Sequence, residues 1–157
     1  MNLNNWLTKW DLSSLKINAH FLEAELQFND ADKKAAWELY VELLTRITTQ
    51  PLDDYAGNEV SALGSIFSLF STTRSIIKGY GPSCIGFTKI AIVILNQKIR
   101  PFTSKWHKLN SEDCFKNEEY RIQFRTELEL VQQILQKYSH LLSEMAGVED
   151  LTDLEYE

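Results

Sequence analysis

What this chain has little of narrows its reading before what it has does. Its two cysteines, Cys84 and Cys114, are too few for a disulfide framework, and the three histidines (His20, His107, His140) lie far from both and from each other. No zinc-type spacing results, and two free thiols in a reducing compartment are expected. Only six glycines and three prolines occur in 157 residues, which predicts long elements joined by short loops. Positive charge is also scarce: 16 Lys and Arg against 22 Asp and Glu give a net charge of −6. That disfavours nucleic-acid binding through the whole surface while leaving room for a local basic patch.

Long apolar runs are missing too. The most apolar stretch lies between Lys89 and Lys98, which bracket only eight residues, whereas a membrane-spanning helix needs about 20. No membrane span is expected. The opening MNLNNWLTKWDL has no basic region followed by an apolar one, so no secretory signal is expected and a cytoplasmic location is. There is no glycine-rich phosphate loop, no Gly-x-Ser-x-Gly, no His-Glu-x-x-His and no Cys-x-x-Cys. Glu38 and Glu42 stand four apart as metal-binding carboxylates do. The Glu-x-x-His pairs of a di-iron bundle do not accompany them, and the two read as a solvated face. No metal and no cofactor is expected.

What is present is organised around Cys84–Leu109. Its centre, Ile90-Ala-Ile-Val-Ile-Leu95, has no polar side chain, and a helix apolar all round belongs in an interior. β-branched residues also suit a strand, and six apolar residues are not decided by periodicity alone. The flanks decide for a helix: Phe87, Ala91, Leu95, Phe102, Trp106 and Leu109 keep to one broad arc. A buried rod from about Ser83, bent or broken at Pro101, is expected, because proline lacks an N–H and its ring crowds the preceding turn.

The remaining segments read as wrapping. Trp6 and Trp10 share one face of a short helix, with Asp11 positioned to cap the segment after it. Residues 12–28 fit both a helical stripe (Leu15, Ala19, Leu22, Leu26) and a strand alternation (Leu15, Ile17, Ala19, Phe21). The helix-prone Leu22-Glu-Ala-Glu-Leu26 tips the reading to helix. Asn29 or Asp30 opens a helix from Ala31 to about Thr49 with an apolar face of Trp37, Tyr40, Val41, Leu44 and Ile47, and a Glu42–Arg46 pair outside. Pro51–Gly57 is a loop. A helix from about Asn58 to Lys78 carries Val60, Leu63, Phe67, Phe70 and Ile77, widened by Ile66 and Ile76. Gly79-Tyr-Gly-Pro82 stops it.

Asn117 caps the last helix, whose apolar residues fall at 120, 124, 128, 131, 135, 138, 142 and 145 before Gly147. Alternating fours and threes are the pattern of a bundle seam. Leu130, Ile134 and Leu141 beside that row leave a dimer seam open. The expected fold is all-α: an antiparallel bundle of four long helices over residues 1–147, with an additional N-terminal helical segment. An acidic C-terminal tail over 148–157 completes the chain, mobile or docking through Leu151 and Leu154.

One polar constellation lies on the central segment. Lys89, Asn96, Arg100, Thr103 and His107 are spaced 7, 4, 3 and 4 apart. On a straight helix all five fall within about 40° of one line. Lys98, Lys105 and Lys108 add charge, making residues 98–108 a basic segment in an acidic protein and the one stretch through which nucleotide or RNA binding without cleavage is a third reading. An arginine and a histidine on one face suit phosphodiester chemistry, with His107 as general acid or base and Arg100 steadying the phosphate. The alternative is that the stripe is simply an outward face paired with neighbouring acids.

Arg100-Pro-Phe-Thr-Ser-Lys-Trp-His107, an arginine and a histidine six residues apart in a small helical chain, resembles the HEPN ribonucleases. That resemblance implies dimeric, metal-independent action on RNA, with Arg100 and His107 as the catalytic pair. Pro101 departs from the family pattern, which usually has a polar residue there. AAWELYVELLTRITTQPL and RPFTSKWHKL are similar to a bacterial all-helical family, which implies a bacterial source and no particular mechanism. With no strong catalytic signature elsewhere, the leading expectation is a non-enzymatic adaptor or regulatory protein of a bacterial multi-gene, defence-type system. It would act through a protein partner or homodimer. Of the four tryptophans, Trp37 and Trp106 are expected in the core, and Trp6 or Trp10 as the interface anchor.

Overall fold

A computed structural model describes residues 2–53 and 58–155 of the chain. Among these residues every regular element is helical, so the chain is all-α. A single antiparallel bridge, Asn2 to Glu25, is the only strand-like pairing among them. Part of the expected 51–57 loop and the last two residues of the tail lie outside the described residues.

α1 (Leu3–Lys9) is capped by the Asn2 side chain and buries Leu3, Trp6 and Leu7. Asp11 does not cap the next segment. It sits just past the end of α1 in the left-handed region (φ 54°) and pairs with Lys137 at 2.9 Å. The helix expected over 12–28 shrinks to α2 (Ala19–Glu23), five residues with none buried. A helix of little more than one turn with no packed face gains too little to extend. The rest of this arm is irregular and is held from outside. Gln97 accepts from the Lys16 backbone N–H at 2.8 Å and donates to its carbonyl at 2.7 Å. Lys98 donates to the Ser14 hydroxyl at 2.9 Å.

α3 (Asp30–Leu44) begins as its sequence predicts, with Asn29 and Asp32 forming a reciprocal capping box. It stops five residues early. Thr48 and Thr49 both turn their hydroxyls back to the Leu43 carbonyl, at 2.7 and 2.8 Å, which satisfies an orphan acceptor without another helical turn. Its buried face is Asp32, Ala35, Ala36, Leu39, Tyr40 and Leu43, rotated from the expected one, so Trp37 and Val41 lie outside. The Glu42–Arg46 pair forms, at 2.6 Å. α4 (Glu59–Tyr80) takes its cap from Asn58 and buries Leu63, Ile66, Leu69, Phe70 and Ile76. Val60 and Phe67 of the expected apolar face are exposed.

α4 stops where its sequence predicts, at Gly81, whose φ of 66° and ψ of −156° turn the chain, and the helical run beyond it to Ser111 changes type twice. A 3₁₀ turn at Gly81–Cys84 leads into α5 (Ile85–Ile94), and a π turn at Leu95–Ile99 leads into α6 (Arg100–Ser111). The helix neither breaks nor sharply ends at Pro101. Pro101 gives Gln97 no N–H four residues on, and the widened turn, in which the Arg100 N–H reaches back to the Leu95 carbonyl, takes in the ring. One 18-residue window in this run is apolar enough in composition to cross a membrane (mean hydropathy 1.2), with 39% of it buried in the fold.

The rod is not sheathed on all sides. Ile90, Ala91, Ile94 and Leu95 are buried, but Ile92 is 49% and Ile85 51% exposed. α7 (Glu118–Ala146) has the predicted bounds and cap. Its row from Phe124 to Met145 is buried throughout, while Tyr120 at the start of the row is exposed. Beside the row, Leu141 is buried, Ile134 half-buried and only Leu130 exposed, so those three form no continuous outer seam. The tail docks by Leu151 and not by Leu154. The Leu151 amide bonds the Tyr40 hydroxyl, Thr152 is buried, and Leu154 is the most exposed large apolar residue among the described residues.

Candidate functional site

The π turn governs where the basic segment points. One extra residue in a turn rotates everything beyond it by about 100° against a straight helix, so Lys89 parts from Arg100, Thr103 and His107, which keep their mutual spacing on α6. Lys89, before the turn, lies 4.3 Å above the Phe21 ring of the arm. Asn96 is exposed and accepts from Arg100 Nε at 3.2 Å and Nη2 at 3.1 Å. The guanidinium so held lies over Phe70 of α4, 4.5 Å from the ring centre. Thr103 is buried and donates back to the Arg100 carbonyl. His107 is half-buried and meets Phe67 of α4 edge-on, with ring centres 4.6 Å apart.

The other cations diverge. Lys98 turns to the arm, Lys105 is bound by Glu127 of α7 at 2.8 Å, and Lys108 is exposed. Residues 98–108 are therefore not one basic patch. Arg100 and His107 are brought to the same helix, α4, one over Phe70 and the other against Phe67, whose rings are 6.0 Å apart. Among the described residues His107 makes no hydrogen bond, so its ring nitrogens are unengaged.

The tryptophans change roles. Trp6 is buried, with its indole N–H on Glu144, and Trp10 stacks on His140 at 4.5 Å between ring centres. Both are spent on fastening the N-terminus to α7. Burial opposes the Glu144 charge, but bonds from Lys9 and Trp6 outweigh it and hold the carboxyl below the usual range. Asp150 follows the same pattern. Burial opposes its charge, and His140 and Thr152 overcome that and hold it low.

Trp37 is the tryptophan left outside, 45% exposed, with Val41 one turn on. The two border a groove of about 460 Å³ between α3 and α4, completed by Glu38, Glu42, Thr72 and Ile76. Glu38 also accepts the Tyr80 hydroxyl. Periodicity placed Trp37 inside because it matched Tyr40, Val41 and Leu44. The signal that would have placed it outside is the small pair Ala35-Ala36, which marks the side of α3 that approaches other helices closely.

A larger cleft, about 700 Å³, lies under the arm. Its floor is the bare side of α5, with Ile85, Lys89 and Ile92 on one line. Its far bank is the arm from Lys16 to Asn29, including Phe21, which is 39% exposed. Among the described residues no group of three or more metal-ligating side chains converges. Comparison of the chain with known protein families, with curated proteins and with solved structures finds no match.

Proposed function

We propose that the protein is a non-enzymatic helical interaction protein, an adaptor or regulatory component that works through a protein partner in the cytoplasm, within a bacterial multi-gene, defence-type system. The observation that supports this is Trp37: a large, amphipathic ring left on the surface beside Val41, over a groove edged by Glu38 and Glu42. Tryptophan is the side chain most enriched among residues that dominate binding energy. Glu38, which has no cationic partner among the described residues, favours a partner that sets a basic residue beside an apolar one.

The scaffold we propose behind it is an antiparallel bundle of α3, α4, the α5–α6 rod and α7, with residues 2–28 across it. Cross-contacts support that direction of packing. Glu38 meets Tyr80 while Arg46 meets Ser68, and Phe67 meets His107 while Phe70 meets Arg100.

Affinity capture from the source cells, run beside Trp37→Ala, tests the reading. Capture of one defined protein, or of a second copy, with recovery cut about 30-fold or more by the substitution is the expected result, since an anchor of about 2 kcal/mol corresponds to that factor. A monomer that retains no partner would overturn it.

A second reading, a HEPN-like metal-independent ribonuclease, is favoured by the shared position of Arg100 and His107 against α4. Purified protein and His107→Ala are incubated with RNA in chelator. Cleavage by the former alone supports the reading; equal cleavage by both, or none, removes it.

A further inference from the structure

The cleft under the arm calls for an occupant other than the α3–α4 groove does. Its walls are chiefly apolar: Ile17, Phe21 and Leu26 from the arm, Ile85, Ile90 and Ile92 from α5. Its volume of about 700 Å³ lies within the range typical of small-ligand sites, roughly 300–1,000 Å³. The bare line on α5 from Ile85 to Ile92 is about 10 Å long at 1.5 Å per residue, too short to seat the successive anchors of a docked helix.

Two lysines and two carboxylates line the cleft, and the carboxylates are the ones already partnered. Of its carboxylates, Asp32 has both oxygens engaged, one by the Phe87 amide and one by the Asn29 amide, and Glu25 has partners of its own. Of its cations, Lys16 and Lys89 have no carboxylate partner among the described residues, although the chain carries a net charge of −6. Lys16 is held in place through its backbone by Gln97, and Lys89 by the Phe21 ring. An ammonium group without a carboxylate partner on an otherwise apolar trough suits a negative head on an aliphatic chain. A polyphosphate has less to hold it: no arginine lines the cleft, and the Phe87 amide near the start of α5 is already taken by Asp32.

We propose that this cleft binds a single-chain amphipathic monoanion, an aliphatic carboxylate, with its head at Lys89 and its chain between the arm and α5 toward Ile92. The site is independent of the Trp37 groove, and its test leaves that surface untouched.

The probe is dodecanoate, titrated by calorimetry into the full chain below its micelle concentration. Dodecylammonium serves as the same chain with the opposite head. Saturable one-to-one binding of dodecanoate, with dodecylammonium at least tenfold weaker, is expected. Lys89→Glu narrows or inverts that ratio, and Ile92→Glu, at a position already half outside, removes binding while the helical circular dichroism signal stays unchanged. Equal affinity for the two amphiphiles, dodecanoate binding that survives Ile92→Glu, or no binding to the wild-type chain each overturns the proposal. So does a chain that ignores monomeric dodecanoate but sediments with anionic phospholipid vesicles, because the bare side of α5 would then be a membrane contact.

Discussion

Oδ1 of Asp32 accepts the backbone N–H of Phe87 at 2.9 Å, so a carboxylate at the start of α3 caps the start of α5, 55 residues away. Its other oxygen accepts from Asn29 within the capping box of α3. One buried side chain thus terminates two helices and fixes their relative position. The closeness depends on Gly86, where an added Cβ would stand 3.0 Å from the carboxylate.

Asp32→Ala leaves two buried or half-buried amides unpaired. A loss of about 2–4 kcal/mol is expected in urea unfolding, the sum of a lost cap and an unsatisfied donor. Gly86→Ala is expected to cost roughly 1–3 kcal/mol by forcing the carboxylate away. The two substitutions made together should cost less than their sum, because both act on one contact.

Gln97→Ala removes both bonds that tie Lys16 to the π turn. Amide exchange is expected to quicken across residues 14–24, while α7 stays protected. Equal acceleration in α7 would show that the arm and the helices open as one unit.

Tyr138 is buried on α7 with no partner for its hydroxyl, and burial pushes the phenol far above its ordinary range. Tyr138→Phe removes a polar group that was desolvated without a bond. The variant is expected to be as stable as the parent or up to about 1 kcal/mol more stable, read as a higher Tm.

Glu144 and Asp150 are both held below their ordinary values in the folded chain. A depressed carboxylate binds fewer protons folded than unfolded. Its stabilisation is therefore complete above the unfolded value, about 4, and is lost as pH falls from there through the lower folded value. Glu144→Gln with Asp150→Asn should lower Tm at pH 7 and flatten its fall between about pH 5 and 3. An unchanged acid limb would show that the N-terminal and C-terminal fastenings contribute nothing there.

Trp37 is expected to be the main collisional target of acrylamide among the four tryptophans. Trp37→Phe should remove most of the quenchable emission and leave stability within about 0.5 kcal/mol, as at other surface positions.

Sequence alone decided the elements whose signals are local. Asn29 with Asp32, Asn58, and Asn117 next to two glutamates each opened a helix where expected, because a cap needs only the residues within one turn of it. The row along α7 was legible because 3.6-residue periodicity accumulates over 29 residues. Tertiary structure decided what depends on neighbours. It chose the face of α3, since Ala35 and Ala36 admit close helices where Trp37 cannot. It kept residues 12–28 from becoming a long helix, since their backbone is bound by Gln97 from another element. It also turned Pro101 from a break into a π turn. That one extra residue took Lys89 off the line shared by Arg100, Thr103 and His107, and the packing of the arm left the bare side of α5 facing a cleft that no local pattern foretold.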